Sequence, residues 1–182
     1  VIFTELPLKG AFRVDPERIG DERGHFARMF CADEFAAHGL CTSWFQTNRS
    51  FTKKAGTTRG LHFQRPPAVE AKLIRCSRGA VFDVIVDLRA GSPKFGQWTA
   101  LELSEANATA VYAPQGFAHG FQTLTDSVEM SYMHSARYSP DHEGGVLLDD
   151  PELGISWPMK PSNQSARDLA FPPLSSVEPI KP

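Results

Sequence analysis

Five side chains spread along this sequence have the types needed to move a proton beside a carbonyl: His62, Lys72, Asp83, His119 and Tyr132. An imidazole takes a proton near neutral pH, an ammonium holds a developing oxyanion, and a phenol returns a proton. Removing a proton next to a ketone and restoring it on another face needs no more than those parts. Each residue also has an ordinary structural use. Lys72 reads as a solvated strand end, Tyr132 as an amphipathic filler with its hydroxyl at the surface, and Asp83 as a salt-bridge partner. His62 raises the sharper question because it sits in RGLHFQRPP, Arg59 to Pro67. Strand alternation puts Gly60, His62 and Gln64 on one face and Leu61 and Phe63 on the other. Gly60 leaves the imidazole's face open to another backbone or to a ligand.

The elements that must position these groups are mostly strands. GAVFDVIVDLR alternates, with Ala80, Phe82, Val84, Val86 and Leu88 on one face and Val81, Asp83, Ile85 and Asp87 on the other. WTALEL, TAVYAP, HGFQTL and SVEMSYMHSARY follow, separated by turn residues. In the last of these Val128, Met130, Tyr132 and His134 share a face. Only ADEFAAHGL, Ala32 to Leu40, reads as helix, with an early acidic pair and a closing Gly39. From about Asp149 the chain turns to prolines and turns, with one helical turn near Ser165, and is expected to wrap the main body. Short strands at regular spacing predict an all-β sandwich or barrel, a jelly roll in the first instance, with a few short helices. The 182 residues fit one domain, 1–182, with a core able to bury most of its apolar surface.

Composition removes several function classes. A formal net charge of −2 and a pI near 6.3 leave no basic footprint for nucleic acid. The apolar runs are strand-sized, far short of the ~20 residues a membrane helix needs. VIFTELPLKG lacks the charged start and long apolar region of a signal peptide. Cys31, Cys41 and Cys76 are too few and too irregular for a disulfide framework or a zinc site. A reducing cytoplasm is the expected location.

APQGFAHGF carries Pro114, Gly116 and His119 at the Pro-x-Gly-x-x-His spacing, which resembles the second signature of cupin jelly rolls. Many cupins hold a metal with two histidines and a carboxylate from a first signature plus this histidine. Here that first signature falls in HFQRPPAVEAKL, which offers His62 and Glu70 but has Gln64 in place of the second imidazole. Lys72 adds a positive charge that opposes a bound cation. Transition metals want three or four good ligands.

A wider resemblance runs nearly end to end. GDERGHF, FQTNRS, TTRGLHFQ, KLIRCSRGAVFDVIVDLRAGSPKFGQW, LSEAN, YAPQGFAHGF, SYMHSARYSP and DDPELGISWP resemble the dTDP-4-dehydrorhamnose 3,5-epimerase family of nucleotide-sugar epimerases. The resemblance implies a metal-free and cofactor-free cupin jelly roll, a homodimer, acting on a dTDP-4-keto-6-deoxy sugar beside its C4 ketone. By the same resemblance His62 is the general base, Asp168 of SARD its carboxylate partner, Tyr132 the acid on the opposite face, and Lys72 the holder of the enolate oxygen. Arg23, Gln46, Asn48, Arg59, His119, Tyr138, Glu143 and Arg167 surround the nucleotide sugar, as does Lys72. Arginines suit the pyrophosphate because the planar fork matches phosphate oxygens bidentately, and Tyr138 is placed to stack on the base.

The chain departs from the family's usual pattern at Arg28, Thr47, Arg49, Glu70 and the HSAR run before Tyr138. The stretch around Arg28 tends, in that family, to reach the partner subunit's nucleotide. These departures lie where nucleotide and sugar are chosen, so inversion at C3, at C5 or at both stays open. Two other readings compete, a metal-dependent cupin enzyme and a non-catalytic sugar-binding cupin. The joint presence of His62, Lys72, Tyr132 and Asp168 argues against the second, since a binder needs no acid and base.

Overall fold

The computed structural model describes residues 1–182. Thirteen strands carry the fold: β1 Ile2–Glu5, β2 Phe12–Asp15, β3 Arg18–Asp21, β4 Gly24–Ala27, β5 Gln46–Thr52, β6 Thr58–Gln64, β7 Lys72–Arg78, β8 Ala80–Asp87, β9 Trp98–Ser104, β10 Ala110–Ala113, β11 Phe117–Thr123, β12 Val128–His134 and β13 Glu143–Gly145. One six-stranded sheet has the order β1-β2-β10-β7-β12-β5, one five-stranded sheet has the order β13-β6-β11-β8-β9, and β3-β4 form a separate ribbon. All pairings within the sheets are antiparallel. This is the expected all-β jelly roll of the cupin type.

Alternation decides which residues meet between the sheets. Ile74 and Cys76 of β7, Val111 of β10 and Val128 and Met130 of β12 face Val81 and Ile85 of β8, Leu103 of β9 and Phe117 and Phe121 of β11 in one buried cluster. Each large apolar side chain removed from water there contributes roughly 1.5–3 kcal/mol. The opposite parity of the five-stranded sheet is also apolar. Leu61, Phe63, Val84, Val86, Leu88 and Ala118 pack under Leu148, Leu153, Leu174, Val177 and Ile180 of the C-terminal stretch. Trp98 of β9 ties that stretch down by donating its indole N–H to Leu153 O at 2.8 Å, and Trp157 braces the stretch internally by donating to Leu148 O at 2.9 Å. Both faces of β8 are therefore covered, which is why GAVFDVIVDLR is apolar at nearly every position.

On the outer face of the six-stranded sheet a third cluster gathers Phe35, Leu40, Leu73 and Tyr112. Phe35 belongs to α1, Ala32–Ala37, which ends earlier than the expected Leu40. Gly39 adopts φ 69° and Leu40 N donates to Phe35 O at 3.0 Å, so the chain turns away one residue after the last helical hydrogen bonds. The second helix, α2, is a single turn at Ala166–Leu169, capped by Ser165, whose side chain accepts from Asp168 N. No helix is long and apolar enough to cross a membrane.

Candidate active site

The apolar filling between the sheets stops at one end of the barrel and a polar cleft of about 290 Å³ takes its place. Its walls come from inward-facing positions of five strands. β6 supplies His62 and Gln64 and, because an extra residue between Arg59 and His62 against β11 reverses the parity, Arg59 as well; β11 supplies His119, and these belong to one sheet. β5 supplies Gln46, Asn48 and Ser50, β7 supplies Lys72, β12 supplies Tyr132 and His134, and these belong to the other. A larger open hollow of about 550 Å³ lies between Glu5–Lys9 and Asp87–Lys94, but it contains no histidine or tyrosine.

His62 is held from behind. Its Nε2–H donates to Asp168 Oδ1 at 2.9 Å, and the second carboxylate oxygen accepts from Gly60 N at 3.1 Å. Burial pushes the Asp168 carboxyl up, yet the hydrogen bonds from His62 and Gly60 outweigh it and hold that carboxyl below its ordinary range. The ring's tautomer follows, because an ionised carboxylate only accepts, and Nδ1 is left as the free base nitrogen. Arg167 Nη2 lies 3.4 Å from the same Nε2. It acts there as a neighbouring charge, since the Nε2 proton already points at Asp168.

Gly60 turns out to make room for a strand rather than for a ligand. A Cβ at this position would stand 2.6 Å from Gly120 Cα and 2.8 Å from His119 O, and φ is 120°. The expectation that Gly60 leaves the imidazole's face open to a ligand is corrected in favour of the other occupant, a backbone: β11 fills that space, and the close approach seats His119 opposite His62 in register.

On the facing sheet Tyr132 lies with its hydroxyl 3.0 Å from Ser50 Oγ and its ring 6.0 Å from that of His119. Burial pushes the phenol well above its ordinary value, so it stays protonated. His119 Nε2 pairs with fully buried Asp83 at 2.8 Å, and burial pushes the Asp83 carboxyl up. Lys72 Nζ donates to His62 O at 3.2 Å and pairs with Glu70 Oε1 at 3.1 Å. At the cleft's mouth Tyr138 O–H donates to Glu143 Oε2 at 3.1 Å, Arg167 donates to the same oxygen at 2.9 Å, and Tyr138 N donates to Gln46 Oε1 at 2.9 Å.

Of the twelve expected site residues, His62, Lys72, His119, Tyr132, Gln46, Asn48, Arg59, Tyr138 and Glu143 line the cleft, and Asp168 and Arg167 adjoin it through His62 and Glu143. Arg23 is held apart. It projects from the turn of the β3–β4 ribbon with its side chain 86% exposed, paired with Asp21. Two contributors escaped the sequence reading. Ser50 continues the inward parity of Gln46 and Asn48, a signal that was available. The pairing of His134 with Glu70 at 2.9 Å was not, since 64 residues separate the two.

The residues present do not fit a metal. Gln64 is occupied by Ala68 O, Arg137 O and Ser139 N, Glu70 is held by Lys72 and His134, and the Lys72 ammonium shares the space. No group of three or more His, Cys, Asp or Glu has the arrangement of a cation site.

A double-sheet barrel with a carboxylate-held histidine facing a buried tyrosine across a polar mouth defines a cupin-type enzyme built for acid–base chemistry. The family model described as dTDP-4-dehydrorhamnose 3,5-epimerase matches residues 5–176. A dTDP-4-dehydrorhamnose 3,5-epimerase of Sinorhizobium fredii is 42% identical over 96% of this chain and 90% of its own length. A dTDP-4-dehydrorhamnose 3-epimerase of Streptomyces niveus is 41% identical over 91% of this chain and 82% of its own. A solved dTDP-6-deoxy-D-glucose-3,5-epimerase from Legionella pneumophila, in complex with dTDP-4-keto-L-rhamnose, superposes with a TM-score of 0.91 at 34% identity, covering 97% of this chain and 94% of that one. The chain belongs to the dTDP-4-dehydrorhamnose 3,5-epimerase family, and it is an isomerase.

Proposed function

We propose that the chain epimerises a dTDP-4-keto-6-deoxy sugar at C3, C5 or both, by proton abstraction and return beside the C4 ketone. The observation that carries this is the placement of His62 and Tyr132 on opposite sheets of one cleft. Nδ1 of His62 removes the proton from the carbon next to the carbonyl, and Asp168 stabilises the imidazolium that forms. The electron pair moves onto the carbonyl oxygen, where the Lys72 ammonium meets the developing charge. Tyr132 then gives its phenolic proton to the opposite face. Arg59 binds the pyrophosphate, Tyr138 stacks on the base, and Gln46, Asn48, His119, Glu143 and Arg167 order the rest of the substrate.

The working form is a cytoplasmic homodimer. β1 leaves an open sheet edge with Ile2 exposed, and Ile19 and Phe26, partners in the ribbon, are 73% and 71% exposed. Arg23 on that ribbon reaches a nucleotide only in a second copy's cleft. A second reading, inversion at C3 alone, is favoured by one observation: the Streptomyces niveus 3-epimerase is as similar to this chain as the 3,5-epimerases are.

Solvent deuterium incorporation tests both readings, because each inversion replaces one carbon-bound hydrogen by a solvent-derived one. Label at C3 and C5 supports the double epimerase, label at C3 alone the single one, and turnover without label at either carbon overturns the proposal.

A further inference from the structure

We propose that His134, positioned by Glu70, is a specificity-determining contact to the hexose, accepting a hydrogen bond from one of its hydroxyl groups. The inference rests on the sugar-epimerase reading above. The cleft contains three histidine–carboxylate pairs, and only two of them, His62–Asp168 and His119–Asp83, have a part in that reading. The third joins His134 Nδ1 to Glu70 Oε2 at 2.9 Å.

Glu70 is nearly buried, and both of its oxygens are engaged, one by Lys72 Nζ and one by His134. Burial pushes its carboxyl up, but the hydrogen bond from His134 and the charge of Lys72 outweigh that and keep it ionised. A carboxylate only accepts, so the proton of the neutral imidazole sits on Nδ1 and Nε2 presents a lone pair. Nε2 has no partner within the protein, and the ring lines the cleft. An acceptor fixed in direction and open to the substrate is what recognition of a hydroxyl requires.

Location selects the hexose over the nucleotide. His134 is two residues from Tyr132 on the same inward face of β12, with ring centroids 6.1 Å apart, so it borders the part of the cleft where the proposed acid meets the sugar. Its cross-strand partner is Lys72. The Glu70 carboxylate directly behind the ring makes the position unfavourable for a phosphate.

The test compares wild type with His134→Ala, using dTDP-4-keto-6-deoxyglucose as substrate and dTDP alone as competitive inhibitor. Loss of one hydrogen bond raises KM for the sugar nucleotide roughly three- to tenfold. The Ki of dTDP and kcat stay within about twofold of wild type. His134→Phe keeps the ring's volume without an acceptor and shows the same rise, which decides the matter should the alanine variant fold poorly. His134→Gln can donate to Glu70 and offer its amide oxygen, and it recovers most of the lost KM. An unchanged KM, a parallel rise in the Ki of dTDP, or a fall in kcat alone overturns the inference. The last outcome would make His134 a mere support for Lys72. Failure of wild type to epimerise the substrate would overturn the underlying reading instead.

Discussion

The two halves of β12 share one strand, one face and one parity, yet they do opposite things. Val128 and Met130 are fully buried among apolar side chains of both sheets, while Tyr132 and His134, the next two inward positions, border a cleft lined by three histidines and a lysine and backed by three buried carboxylates. The strand's pairing with β5 runs unbroken through both halves, from Val128↔Thr52 to His134↔Gln46. The packed half supplies the burial that holds the sheets in place, and the polar half inherits that rigidity. Buried charge is costly without partners, and each one in the polar half has a partner: Asp168 with His62, Asp83 with His119, Glu70 with Lys72 and His134.

Substitutions in the two halves should therefore separate chemistry from stability. His62→Ala should abolish both deuterium wash-in and turnover, because abstraction comes first. Tyr132→Phe should lower epimerisation by roughly 10²–10⁴, with some exchange at retained stereochemistry surviving through His62. Measured on one substrate, exchange in His62→Ala but none in Tyr132→Phe would reverse the assignments.

Met130→Ala, two residues along the same face, should instead cost about 2–5 kcal/mol of unfolding free energy in a denaturant titration. Its turnover per folded molecule should match wild type, and a fall of tenfold or more would show that the two halves are not separable. Arg59→Ala, at the cleft wall and bonded to Thr52 at 3.1 Å, should act mainly on KM. The loss of a charge-assisted bond is about 1.5–3 kcal/mol, and a collapse of kcat at constant KM would remove Arg59 from the pyrophosphate.

The smallest effect is a pH dependence in the polar half. The folded-state value of Asp168 is depressed below its ordinary 3.8. Its contribution to stability is thus present above 3.8 and lost as pH falls through the lower folded value. The difference in unfolding free energy between wild type and Asp168→Asn should narrow in acid below that point. A gap that widens there would mean the carboxyl is not stabilised by its bonds to His62 and Gly60.

Alternation made much of this legible in one dimension. A strand presents successive side chains to opposite faces whatever it packs against, so RGLHFQ already separated His62 from Leu61 and Phe63, and SVEMSYMH already aligned Tyr132 with Met130. The motif words and their family resemblance carried the site residues, because those positions depend on residue type at fixed spacing. What lay beyond the sequence was every relation across a sheet or between sheets. Gly60 could announce a close approach but not whether strand or ligand makes it, and register with β11 decided that. The resemblance of its motif places Arg23 among the expected site residues, yet the ribbon carries it away from this chain's cleft. Asp168 reaches His62 across 106 residues and Glu70 reaches His134 across 64. Parity is a local property of the backbone, whereas partnership depends on strand order and chain closure, which only the folded tertiary structure sets.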